Sequence, residues 1–270
     1  MFKTVSRRAK TATLVLKERG VRAMLVRAFE ITGMWWRRGE AWQLVAKSPI
    51  ARLDRCRFVL SDLPGVTRDL LLSGRYELPE RTAIRKYLRR DEPVVEFGAN
   101  MGVVACTTNR LLRDPPRHLV VEANPDLIPL LNTHKRMNSS VFSVWHGAVA
   151  YGMPKISFAI QSDTLASSLH LAGGRVVTVP TVTLAEILRE RSFERAAVVC
   201  DIEGAEFALL EHEATTLSRY CTTFIVEVHA VPGIADPHSF FESAMKDAGF
   251  ERLERTHDTH VYENRRLPKG

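Results

Sequence analysis

The chain has 270 residues, of which 45% are hydrophobic and 26% are charged. A chain of this length buries about three quarters of its unfolded surface, and its composition excludes collagen-like, coiled-coil and disordered proteins. The formal net charge of +7 is unevenly distributed, because residues 1–60 carry 14 Lys and Arg against 4 Asp and Glu, and the remainder carries 24 against 27. The basic character belongs to the N-terminal segment, which argues against a main domain that clamps nucleic acid.

These patterns divide the chain into a basic, mostly helical N-terminal extension at 1–60, a helical lead-in at 61–92 and a main domain at 93–270. No run approaches 18 uninterrupted apolar residues, so no membrane-spanning helix is expected. The four cysteines lie far apart and form no C-x-x-C pair, which is typical of reduced thiols in a cytoplasmic protein.

In the N-terminal extension, basic residues alternate with apolar ones, and Trp35-Trp36-Arg37-Arg38 places two aromatic rings beside two cations. We expect a helical extension whose apolar side packs on the main domain. The alternative is a peripheral contact with the inner face of the membrane, because such a helix gains from apolar burial and from anionic lipid.

Beyond Pro93, short apolar runs alternate with helical stretches, which predicts an α/β fold with a parallel sheet covered on both faces. A hairpin is expected to close the sheet, with its strands at Phe250–Leu253 and His260–Tyr262. A mobile loop is expected from Gln161 to Arg175, which is rich in Ser, Ala and Gly. The predicted parallel strands are Val94–Phe97, Leu119–Glu122, Ala197–Cys200 and Phe224–Val226.

The first of these strands leads into a turn that contains Gly98 and Gly102, before a helix predicted from about Val103 to Arg113. Glycines let a backbone approach a ligand closely, and a helix N-terminus favours an anionic group. The G-x-x-x-G spacing differs from the dinucleotide fingerprint, which disfavours a nicotinamide cofactor. Glu122 ends the second strand, where a carboxylate can hold a ribose diol. The alternative is that these residues bind no cofactor, so that the two glycines only form a turn and Glu122 only caps the next helix.

Four motifs follow one another along the chain, and in them the sequence resembles the FkbM family of S-adenosylmethionine-dependent methyltransferases. The resemblance runs from about Gly74 to the C-terminus, and it departs from the family pattern at Glu96, where aspartate is commoner. The motifs are Glu96-x-Gly98-x-Asn100-x-Gly102, Glu122-x-Asn124-Pro125, Asp201-x-Glu203-Gly204-x-Glu206 and Glu227-x-His229.

This resemblance implies a class I methyltransferase (Rossmann-like) fold, whose seven-stranded sheet has helices on both faces and an antiparallel last strand. It also implies S-adenosylmethionine as cofactor and O-methylation of a hydroxyl on a sugar or another natural product. Gly98, Asn100 and Gly102 would then border the methionine part of the cofactor, and Glu122 would hold its ribose. The other cofactor-binding residues that the motifs suggest are Glu96, Asn124 and, from the Gly-x-Tyr-Glu element, Glu77.

Polar residues follow two of the predicted strands, Asp201 and Glu203 after one, and Glu227 and His229 after the other. If the first strand continued to residue 203, both of its acids would face the same side. The resemblance makes the two strands neighbours, so all four side chains are expected to converge. We expect neutral His229 to be the base that deprotonates the acceptor hydroxyl, with Asp201 and Glu203 positioning it and Glu227 in the same catalytic group. The alternative is that His229 has no catalytic role and only forms a hydrogen bond with a backbone group at the end of the strand.

The same four residues, Asp201, Glu203, Glu227 and His229, would also suit Mg²⁺ or Mn²⁺. Hydrogen bonds to substrate hydroxyls explain them equally well, so a metal-free site is the expectation and Mg²⁺ the alternative. The expected partner is a sugar or glycolipid acceptor. Two alternatives stay open: a nucleic-acid methyltransferase that uses the basic N-terminal segment, and a binding protein that keeps the cofactor fold without turnover.

Overall fold

The computed structural model describes residues 49–160, 167–168 and 175–267. Its helices are α1 (Gly65–Ser73), α2 (Leu78–Tyr87), α3 (Val103–Leu111), α4 (Ile128–Met137), α5 (Leu184–Arg191), α6 (Glu206–Tyr220) and α7 (Pro237–Asp247). Its strands are β1 (Ile50–Leu53), β2 (Cys56–Val59), β3 (Val94–Phe97), β4 (His118–Glu122), β5 (Ser143–His146), β6 (Ala148–Val149), β7 (Lys155–Ile160), β8 (Ser167–Ser168), β9 (Arg175–Val182), β10 (Ala196–Cys200), β11 (Cys221–Glu227), β12 (Phe250–Thr256) and β13 (Thr259–Asn264).

The chain divides into two compact units, with the division after Leu78. In the described part of the first unit, β1 and β2 form an antiparallel hairpin followed by α1. The prediction of a mostly helical segment up to residue 60 is therefore wrong for residues 50–59. Alternate residues of this hairpin, such as Leu53 and Phe58, are buried. The rest of the basic extension, with its expected membrane or packing face, lies outside the described residues.

The second unit contains a seven-stranded sheet in the order β5-β4-β3-β10-β11-β13-β12. Neighbouring strands from β5 to β11 are parallel, whereas β13 is antiparallel to both β11 and β12. This confirms the predicted seven-stranded α/β sheet, including its antiparallel last strand and its closing hairpin. The predicted strand at Val94–Phe97 has the same bounds in the structure, and the other three predicted strands gain one to four residues.

The sheet is covered on both faces, as the apolar runs predict. One face packs Val95, Phe97 and Val198 against α5, α6 and α7. The other face packs Val94 and Val199 against α2 and α3. Every residue of β3, β4 and β10 is buried, which is typical of parallel strands between two helical layers.

A smaller four-stranded sheet, in the order β6-β9-β7-β8, inserts between β5 and α5. Of the predicted mobile loop at 161–175, residues 161–166 and 169–174 lie outside the described residues. In the part of the chain that the structure describes, no helix is long and apolar enough to cross a membrane. All four cysteines are buried, and none of them forms a disulfide bond.

Candidate active site

A cavity of about 720 Å³, including its open mouth, lies at the carboxyl ends of the parallel strands. Open α/β sheets bind their ligands at this edge. The cavity is lined on one side by the turn after β3 and by Glu122, and on the other by the residues that follow β10. Its lining comprises Gly98, Asn100, Val121, Glu122, Ala123, Leu127, Gly147, Ala148, Val149, Phe158, Asp201, Ile202, Glu203 and Ala205.

Gly98 and Gly102 are glycines for different steric reasons. Gly98 has a φ of 83°, and a Cβ atom there would lie 1.6 Å from the carbonyl oxygen of Asp201. Gly102 has a φ of 85°, and a Cβ atom there would lie 2.4 Å from Leu131 Cδ1 in α4. The first glycine therefore lets the ends of β3 and β10 meet at the cavity, and the second lets α3 pack on α4.

The carboxylate of Glu122 is fixed by two backbone amides. The Asn100 N–H donates to Oε2 at 2.6 Å, and the Asn124 N–H donates to Oε1 at 2.7 Å. Burial raises the pKa of Glu122 to about 7, although backbone hydrogen bonds from Asn124, Asn100 and Ala123 lower it. An ionised carboxylate has about four acceptor positions, so Glu122 keeps about one for a ligand in the cavity.

The other predicted cofactor residues lie in different places. Asn124 is buried and accepts a hydrogen bond from the Asp126 N–H through Oδ1, so it shapes the turn after β4. Glu96 lies in β3 with its Oε2 atom 3.3 Å from His118 Nε2, and it is absent from the residues that line the cavity. Glu77 belongs to the first unit, and its contact with a cofactor stays a prediction.

The structure brings Asp201, Glu203, Glu227 and His229 together, and we call these four residues the His229 cluster. His229 Nε2 lies 3.7 Å from Asp201 Oδ1, 3.6 Å from Glu203 Oε2 and 3.8 Å from Glu227 Oε1. The strand β10 ends at Cys200, and Glu203 has a φ of 54°. The two acids of the Asp201 motif therefore meet through a turn, whereas strand alternation to residue 203 does not occur.

Glu206 is a central residue of the site that sequence reasoning does not single out. It is fully buried at the start of α6, and its Oε1 accepts a hydrogen bond from His229 Nδ1–H at 2.9 Å. The N–H groups of Ile202 and Gly204 each donate to its carboxylate at 3.0 Å. The signal that could have found it is its place in the D-x-E-G-x-E motif, where an acid opens a helix directly after the turn.

The carboxylates around His229 control its charge. Burial alone lowers the pKa of His229, but the hydrogen bond to Glu206 and the charges of Glu206, Asp201 and Glu203 raise it to about 10. The carboxylates therefore favour the imidazolium form of His229, whereas the sequence analysis expects a neutral base. Burial also raises the pKa of Asp201, with a further contribution from the charge of Glu227.

Glu80, near the start of α2, is a second participant that the sequence pattern places only within a helix. It is buried and accepts a hydrogen bond from Thr259 Oγ1 in β13. Burial raises the pKa of Glu227 to about 8, and the charge of Glu80 and a hydrogen bond between the two side chains act in the same direction. Glu80 is thus a hydrogen-bonded partner of Glu227.

Several solved methyltransferase structures are similar to this chain at low sequence identity. Fibrillarin from Aeropyrum pernix, in complex with natively bound S-adenosyl-L-methionine, has 11% identity over 69% of this chain and 73% of its own, with a TM-score of 0.40. Precorrin-6y C5,15-methyltransferase from Geobacter metallireducens has 10% identity over 68% and 84%, with a TM-score of 0.41. Ribosomal protein L11 methylase from Lactobacillus delbrueckii has 10% identity over 70% and 77%, with a TM-score of 0.39. At these values the similarity says nothing about the reaction of this chain.

The chain matches no curated protein at a significant level. A family model does match, and it is described as the Methyltransferase FkbM domain. The match covers residues 96–252, which is more than half of the chain and includes the turn after β3, Glu122 and the whole His229 cluster. The protein therefore belongs to the FkbM methyltransferase family.

Proposed function

We propose that the protein is an S-adenosylmethionine-dependent O-methyltransferase that acts on a sugar hydroxyl of a glycan, a glycolipid or a related natural product. One observation carries this proposal. Asp201 and Glu203 of the His229 cluster line the same cavity as Gly98 and Glu122. Residues suited to a nucleoside cofactor and residues suited to a hydroxyl acceptor thus share one space.

The residues on one side of the cavity fit S-adenosylmethionine. Glu122 lines the cavity and keeps about one acceptor position, which suits a hydroxyl of a ribose. Gly98 and Asn100 bring backbone close to the same space, as the methionine part of the cofactor requires. When bound, S-adenosylmethionine supplies a methyl group on a sulfonium, and transfer of that group to a hydroxyl oxygen leaves a thioether and a proton.

The residues on the other side suit an acceptor that is rich in hydroxyl groups. Carboxylates accept hydrogen bonds and donate none when ionised, so Asp201 and Glu203 can each hold and orient a hydroxyl. Orientation is the main requirement of an in-line displacement. The negative charge of these residues, together with the excess of acids after residue 60, favours a neutral sugar over a nucleic-acid phosphate backbone.

The test is methyl transfer from labelled S-adenosylmethionine. Purified protein is incubated with a glycan and glycolipid extract of the source cell and, in parallel, with its RNA and DNA. We expect label in the glycan fraction, loss of at least 100-fold in rate for Asp201→Asn, and an unchanged rate for Glu211→Gln on the exposed face of α6. Label in nucleic acid alone, or cofactor binding without transfer to any fraction, would refute the proposal.

A further inference from the structure

The space around His229 Nε2 has an unusual arrangement of oxygen atoms. Three carboxylate oxygens face this nitrogen, from Asp201, Glu203 and Glu227, at 3.6 to 3.8 Å. A hydrogen bond from a ring N–H to an oxygen is about 2.7–3.2 Å long. Nε2 therefore points into a gap between three oxygens and contacts none of them closely.

Asp201 Oδ1 provides a second, independent observation. This atom is buried and has no hydrogen-bond partner among the described residues. Buried polar atoms in proteins are nearly always satisfied, and an exception has a specific cause such as strain, a catalytic role, a water or an ion. The unsatisfied oxygen is the same one that faces His229 Nε2, so the missing partner belongs in the gap.

The other side of the imidazole ring is fixed. His229 Nδ1–H donates to Glu206 Oε1 at 2.9 Å, and the Glu206 carboxylate is itself held by the N–H groups of Ile202 and Gly204. Histidines that bind metals almost always donate their second ring N–H to a carboxylate, a carbonyl or water in this way. The arrangement commits Nδ1 to Glu206 and aims Nε2 at the gap, so a cation that binds there replaces the proton on Nε2, which passes to water.

The distances in the gap are those of a coordination sphere. Metal bonds to nitrogen and oxygen of about 2.0–2.2 Å place two opposite ligand atoms roughly 4–4.4 Å apart. Ligand atoms of Asp201, Glu203 and His229 all lie within 4.8 Å of one another. Coordination at these bond lengths therefore requires the ligand atoms to approach one another by less than about 1 Å.

We propose that Asp201, Glu203 and His229 bind a divalent cation of the Mg²⁺ and Mn²⁺ class at this position. Carboxylate oxygens with a single imidazole are donors that suit such a hard cation. Glu227, whose Oε1 is 3.8 Å from Nε2, is the adjacent carboxylate that can hold a coordinated water. A dication also offsets the charge of the carboxylates that crowd one imidazole.

The cation gives the site a way to activate a hydroxyl. A coordinated hydroxyl is more acidic than a free one, so an acceptor that binds the cation through its reacting oxygen loses its proton more readily to water. This role rests on the proposed function. Binding of the cation does not, because it requires neither cofactor nor acceptor.

The test is Mn²⁺ binding to full-length protein that has been treated with EDTA and dialysed. Electron paramagnetic resonance detects the loss of the free Mn²⁺ signal. We expect one Mn²⁺ per chain, displacement by Mg²⁺, and at least tenfold weaker binding for Asp201→Asn and for the turn variant Glu203→Gln. Glu211→Gln, the matched control, is expected to bind as the unaltered protein does. Circular dichroism of each variant checks its fold.

Two results would overturn the proposal: no Mn²⁺ bound, or equal binding by all variants. The two proposals fail separately. Methyl transfer to glycan that persists in EDTA would refute the cation's role in the reaction and leave the proposed function in place. Mn²⁺ binding with the expected variant pattern, but without methyl transfer to any hydroxyl, would refute the proposed function and support the cation site.

Discussion

Glu206 is the residue whose removal should affect this site most. Its buried carboxylate accepts three hydrogen bonds, from the backbone N–H groups of Ile202 and Gly204 and from His229 Nδ1–H. Glu206→Ala leaves all three donors without an acceptor. Glu206→Gln keeps an amide oxygen for one side, but it turns an NH₂ group toward the donors on the other side. The alanine variant should therefore be the less stable of the two.

The size of the effect follows from the number of donors. A buried donor that loses its partner costs about 1–3 kcal/mol, so the two backbone amides alone predict a loss of about 2–6 kcal/mol in the free energy of unfolding. His229 adds less, since its side chain is 22% exposed and water can reach it. For a unit of this size, each kcal/mol lowers Tm by about 2–4 °C.

Glu213 is a matched control on the same helix. It is also buried, but its carboxylate accepts one backbone hydrogen bond, from the Ala185 N–H at 3.2 Å. Glu213→Ala should therefore cost about 1–3 kcal/mol. Urea unfolding followed by far-ultraviolet circular dichroism gives both losses, provided that the denaturant slope is unchanged. Equal midpoints for Glu206→Ala and Glu213→Ala would refute the reasoning.

Two further predictions concern the cofactor side of the cavity. Gly98→Ala should unfold at a much lower temperature than Gly152→Ala. Both glycines have positive φ, but a Cβ atom at Gly98 would lie 1.6 Å from a carbonyl oxygen, whereas one at Gly152 would have nothing within 4 Å. Similar Tm values for the two variants would contradict this prediction. S-adenosylmethionine should bind more tightly as pH rises through about 7, where Glu122 ionises and becomes acceptor-only. Without the cofactor, the protein should lose stability as pH rises from about 4.5 to about 7, because only the folded state holds the Glu122 proton in that range, and the loss should level off above it. Calorimetry from pH 6 to 8 checks the binding, and Glu122→Gln should abolish its pH dependence.

The parallel core of the fold could be predicted from the sequence because burial on both faces leaves a continuous apolar run. Ala196–Cys200 is such a run, and Val94–Phe97 is one that Glu96 alone interrupts. The hairpin at residues 50–59 replaces a predicted helical segment, although the sequence carries the signal of a strand. Arg52 and Arg57 are exposed and lie between buried neighbours, which is the period of two that indicates a strand. The excess of basic residues hides this alternation.

The members of the His229 cluster could be predicted, but their partners could not. Motif order brings Asp201 and His229 to one edge of the sheet. No spacing rule shows that Glu206, rather than Glu203, accepts the Nδ1 hydrogen bond, because this depends on the turn in which Glu203 has a φ of 54°. Glu80 precedes Glu227 by almost 150 residues, and only the packing of α2 against the sheet brings them together.

Charge also explains why the presence of a histidine is a poor guide to the base. Proton transfer to an imidazole requires its neutral form, and a lone strand-end histidine would supply it at neutral pH. Here the surrounding carboxylates raise the pKa of His229 to about 10, so they favour the charged form of the ring. The residues are thus arranged to stabilise positive charge beside the cavity. The same carboxylates that place His229 at the site therefore oppose the neutral form that a base requires.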